Sequence, residues 1–70
     1  MSATTTYDPE ADAAYLRLAP EDIAIAETRE VAPGVILDLD VAGKLVGIEV
    51  LNVRMRVADG GAALATRPAA

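Results

Sequence analysis

The segment from Val35 to Val53, VILDLDVAGKLVGIEVLNV, constrains the fold more than any other. Apolar and polar residues alternate along both of its arms, and Ala42-Gly43 interrupts them between the two. Period-two alternation puts successive side chains on opposite faces of a strand, so the pattern predicts a β-hairpin. With an even-length loop, Leu39 faces Val46, Leu37 faces Ile48 and Val35 faces Val50. These apolar residues then share one face, while Asp38, Asp40 and Glu49 share the other. A one-residue slip would scatter that arrangement. An odd loop with a glycine bulge at Gly43 is a second stereochemically favourable solution.

The same stretch imitates a calcium loop. From Asp38 to Glu49 it carries acids at the first, third and twelfth positions and glycine at the sixth, close to the helix–loop–helix calcium pattern. Ala42 occupies the fifth position, where a ligand oxygen is needed. Gly34, Val35 and Ile36 precede the loop where a helix should be, and strand chemistry follows it. The coincidence arises because strands place acids at i and i+2 and turns favour glycine. The segment is read as a hairpin. Asp38, Asp40 and Glu49 stay as weak candidates for a divalent cation or for paired-carboxylate hydrolysis, against a solvated sheet face neutralised by Arg17, Lys44 or Arg54.

Upstream, Thr4 to Tyr7 is β-prone, and Asp8-Pro9-Glu10-Ala11-Asp12 interrupts it. Asp8 can cap, and Pro9 suits the first position of a helical turn, so one short helical turn is expected over residues 9–12. Capping and turn chemistry account for the acids Asp8, Glu10 and Asp12 without a ligand. Residues 13–19 alternate again and read as a strand. Residues 21–30 read as a strand from Ile23 to Val31 whose faces are both mixed, with a helix from Glu21 to Glu30 as the competing solution. Pro33-Gly34 punctuates either one. After Val53, Arg-Met-Arg-Val continues the alternation and extends the last strand. The fold class is therefore mainly β: a small antiparallel meander of four to five short strands, becoming α+β if residues 21–30 are helical. The single domain spans residues 4–57, between a leader of residues 1–3 and a flexible tail of residues 58–70.

Composition narrows the chemistry. Cysteine and histidine are absent from all 70 residues, which removes disulfides, thiolate nucleophiles and the commonest general base and transition-metal ligand. Trp and Phe are absent too, so Tyr7 and Tyr15 are the only aromatic residues. They are read as anchors of the core or of a subunit contact rather than as a binding platform. Gly60-Gly61 lacks the residues of a phosphate loop. No residue is assigned a catalytic role and no cofactor is expected.

The net charge is −5, with nine acids against two arginines in residues 1–40 and two acids against four bases in residues 41–70. An acidic chain without an aromatic–basic stripe does not suit direct nucleic-acid binding. No apolar run approaches the roughly 20 residues of a membrane span, and residues 1–10 do not read as a secretory signal. A soluble cytoplasmic protein is expected. A chain this short buries only about 60% of its unfolded surface, and without disulfides the remaining means of stabilisation is self-association, most simply as a two-fold homodimer.

Taken together, YDPEADAAYLRL and VAPGVILDLDVAGKLVGIEVLNV resemble a family of small bacterial and archaeal proteins known as domain of unknown function 2283. The likeness rests on Tyr7, Asp8, Asp12, Tyr15 and Leu16, then on Gly34, Asp38, Asp40, Gly43, Gly47, Ile48 and Glu49, and spans about residues 4–56. Ala14 departs from the family's larger apolar residue. The resemblance implies a stand-alone β-rich domain of no established activity. For some relatives it also implies an antitoxin role toward small basic RelE-like toxins, which an acidic first half would suit. The primary expectation is a non-enzymatic interaction or structural module that self-associates through an apolar sheet face.

Overall fold

The computed structural model describes residues 3–65. Five strands form one sheet: β1 (Thr4–Asp8), β2 (Ala13–Arg17), β3 (Glu27–Ala32), β4 (Val35–Leu39) and β5 (Leu45–Leu51). Every pairing is antiparallel, in the order β1-β2-β5-β4-β3. The mainly β, antiparallel expectation holds. The connectivity departs from a simple meander, because β5 inserts between β2 and β4. This longest strand, Leu-Val-Gly-Ile-Glu-Val-Leu, is the one with most apolar surface to hide, and the centre of a sheet hides it best.

The hairpin combines both loop solutions offered by the sequence. Val35 pairs with Val50 and Leu37 with Ile48, as the even loop requires, but Leu39 pairs with Leu45. Three residues, Val41 to Gly43, form the loop, with the Gly43 N–H bonded to the Asp40 carbonyl at 2.9 Å and Gly43 at φ +82°. An odd loop shifts the register by one. A bulge at Val46 shifts it back, so the rest of the hairpin keeps its apolar face. The bulged Val46 is fully buried.

Register lines the strands into rows. Tyr7, Ala14, Val50 and Val35 form one row, and Thr5, Leu16, Ile48, Leu37 and Arg29 the next, on the apolar face. On the opposite face run Thr6, Tyr15, Glu49, Ile36 and Glu30, then Thr4, Arg17, Gly47, Asp38 and Thr28. Only Ala14, Leu39, Val46 and Val53 make up the buried apolar core among the described residues.

Several local expectations are corrected. Residues 9–12 form a tight turn rather than a helical one: the Asp8 carboxylate accepts the N–H groups of Glu10 and Ala11 at 3.0 and 3.3 Å, and Asp12 takes φ +54°. Residues 18–26 cross the end of the sheet as a loop, so strand β3 begins four residues later than Ile23, at Glu27, and no helix forms over residues 21–30. Arg17 is the reason the loop holds. Its guanidinium donates to the carbonyls of Ala19, Pro20 and Ile23 at 3.0, 2.7 and 3.0 Å instead of balancing sheet carboxylates.

Arg54 to Val57 does not extend β5. Asn52, left-handed at φ 56°, ends the strand and opens the short helix α1 (Val53–Arg56). Asparagine tolerates that conformation better than other chiral residues. A 3-10 turn (Ala58–Gly61) and α2 (Ala62–Ala65) follow, and α2 packs against β1. Gly61 lies buried on Val53: a Cβ there would sit 2.5 Å from Val53 Cγ1. Part of the segment expected to be a tail is thus turned and helical, while residues 66–70, with Met1 and Ser2, lie outside the described residues. No helix of the described residues is long and apolar enough to cross a membrane.

Candidate functional site

The polar face of the sheet brings together Tyr15, Asp38, Gly47 and Glu49 from among the residues that the sequence singles out. Tyr15 stands on β2 beside Glu49 of β5, and one row away Asp38 of β4 faces Gly47 of β5. The Tyr15 ring leans diagonally over Gly47 and donates its hydroxyl to Asp38 Oδ2 at 2.8 Å. Thr28 of β3 donates to Asp38 Oδ1 at 3.0 Å. One hydrogen-bonded chain therefore ties β2, β4 and β3 together across the back of β5. Gly47 makes it possible, because a Cβ there would overlap the Tyr15 hydroxyl, lie 2.5 Å from Cζ, and press the Leu16 carbonyl at 2.9 Å.

A second pair sits at the end of the sheet. Tyr7 donates its hydroxyl to Asp12 Oδ1 at 2.7 Å. The same carboxylate accepts the backbone N–H of Arg54 at 3.3 Å, and the Asp12 carbonyl accepts that of Val53 at 3.0 Å. Asp12 thereby fastens the first turn of α1 to the β1–β2 turn. At the neighbouring β3–β4 turn, Gly34 is left-handed at φ +77°, takes its N–H to Glu30 Oε2 at 3.1 Å and lies under the Arg56 guanidinium.

Both phenols hold their protons more tightly than usual. For Tyr15 the main cause is burial, which disfavours the phenolate, with the Asp38 bond and charge adding to it. For Tyr7 the main cause is the bond to Asp12. Each hydroxyl is a donor throughout the neutral range, so neither can act as a base there. These pairs hold strands in place.

The carboxylates do not assemble into a centre. Asp38 is engaged by Tyr15 and Thr28. Asp40 stands at the base of the hairpin loop, where Oδ1 accepts the N–H groups of Ala42 and Lys44 at 2.9 and 2.8 Å. Among the described residues, no group of three acidic, histidine or cysteine side chains could hold a metal ion. The Asp38–Asp40–Glu49 reading as a cation or hydrolytic site therefore finds no geometry to support it. Thr28 and the Arg54 N–H were missed in the sequence. A signal that could have found the site is Gly47, since a glycine within a strand marks a close approach.

Residues 4–54 match the family described as Protein of unknown function (DUF2283). Neither the curated proteins nor the solved structures contain a match.

Proposed function

The chain belongs to the DUF2283 family, and from that premise we propose that it is a non-enzymatic interaction module that self-associates through the apolar face of its sheet. One observation carries the reading. Leu16, Val35, Leu37, Ile48 and Val50 line a single face and stay half-buried, and Leu18 and Leu45 extend this apolar set at 45% and 44% exposure. A sheet normally buries one face against a second layer, and among the described residues only the short turned segment from α1 through the 3-10 turn to α2 is there to supply it. A second copy offers the same apolar rows and closes the contact by two-fold symmetry. Tyr15, Asp38 and Thr28 on the other face support the reading from a different side, since they are spent on joining strands.

Light scattering coupled to gel filtration tests it at micromolar concentration. The native chain is expected as an assembly of at least two copies, and Leu37→Glu, which places a charge in the centre of the face, is expected to halve its mass. A native monomer, or a mass unchanged by Leu37→Glu, overturns the proposal. A small basic protein co-purifying in equal amount would instead favour the antitoxin reading.

A further inference from the structure

The outer edge of β3 carries a self-complementary sequence, and from it we infer a second interface: β3 pairs antiparallel with β3 of another copy about a two-fold axis through Thr28. All six residues of β3 are exposed, and the strand ends the sheet. The opposite edge strand, β1, is packed by α2. An edge strand leaves alternate N–H and carbonyl groups unpaired on its outer side.

Charge selects the occupant. An axis through Thr28 places Glu27 opposite the Arg29 of the second copy, and Arg29 opposite its Glu27, on the same face of the sheet. In the isolated chain these two bond each other, Nη2 to Oε2 at 2.8 Å, with 59% and 51% of their side chains exposed. The axis also sets Thr28 across from itself. The pairing is confined to the regular part of β3, because the strand begins at Glu27 and its register breaks between Glu30 and Ala32. Opposite charges and threonine pairs directly across strands are favourable, whereas an axis through Arg29 would set two arginines directly opposite each other and one through Glu27 two glutamates. The register through Thr28 is the one in which the charges match.

Glu27 and Arg29 stand at the margin of the apolar face, opposite Leu39 and Leu37, so the two contacts adjoin, and a chain using both would build an assembly larger than a dimer. Because the chain has no cysteine, introduced thiols report the register directly. Residues facing each other across antiparallel strands have Cβ atoms about 4.5–5.5 Å apart, within reach of a disulfide after small adjustment. Thr28→Cys is expected to oxidise rapidly to a covalent dimer. Val41→Cys, at a position 93% exposed in the hairpin loop, serves as the collision-limited comparison. Adding Arg29→Glu to the Thr28→Cys chain should slow cross-linking by about tenfold or more through repulsion from Glu27, and adding Glu27→Arg as well should restore it. Cross-linking no faster than from Val41→Cys, or insensitive to the charge reversal, overturns the inference. Repeating it with Leu37→Glu separates the two contacts: persistence there shows an edge pair that does not depend on the face.

Discussion

Gly47 carries the smallest side chain on the polar face, and its size decides the largest polar contact there. The Tyr15 ring can reach Asp38 only by crossing the backbone of β5, and Gly47 is where it crosses. Gly47→Ala is therefore expected to destabilise the fold by about 1–3 kcal/mol, the range for forcing extra volume into a packed site. Urea unfolding measures it, and an unchanged midpoint would mean that the ring moves aside without loss. The phenols allow a second measurement. Both bind their protons above the ordinary value of 10.0. The folded chain therefore keeps these protons at pH values where the unfolded chain has lost them. Stability from the pairs is whole below that ordinary value and is lost as pH rises through the folded-state values. Tyrosinate absorbance should appear at higher pH in the native chain than in the urea-unfolded chain. Coincident curves would contradict the burial of Tyr15 and the Asp12 bond of Tyr7.

At the scale of elements, what sequence reveals depends on whether neighbouring residues determine it. Alternation from Val35 to Val50 is local, and it announced β4, β5 and the pairs Val35–Val50 and Leu37–Ile48 correctly. The loop was less legible because two register shifts cancel: an odd turn at Gly43 and a bulge at Val46 leave the distal pairs where an even loop would put them. Arg-Met-Arg-Val alternates as a strand does, yet it follows Asn52 in a left-handed conformation and forms α1. What fixes that helix is Asp12, 42 positions away from Arg54 in the chain. The Tyr15–Asp38 pair is likewise joined across a separation of 23 and becomes visible only once β5 lies between β2 and β4. Gly43 gives this scale its test. A Cβ at Gly43 would meet nothing within 4 Å, so Gly43→Ala probes backbone conformation alone at φ +82°. A loss of about 1–2 kcal/mol in chemical unfolding is expected from left-handed strain, and an unaffected midpoint would show that the loop shifts to another turn.

At the scale of the molecule the described residues form one sheet with a short helical flap, and stability depends on what covers the rest of the apolar face. Four buried apolar residues among the described ones are a small core, and cores of such chains rarely supply more than ~3–5 kcal/mol. If a second copy completes the apolar layer, folding and association are one reaction. The unfolded chain is monomeric, so mass action then favours the folded assembly as protein concentration rises. For a dimer, each tenfold increase in total chain raises the apparent stability by about 1.4 kcal/mol per dimer. The thermal midpoint should therefore climb steadily between low and high micromolar concentration, and Leu37→Glu should flatten that dependence by removing the face contact. The edge pair through Thr28 would leave a smaller residual slope, which Arg29→Glu removes. A midpoint independent of concentration in the native chain would mean that the half-buried rows of Leu16, Leu37 and Ile48 are stable facing water. The apolar face would then no longer argue for a second copy.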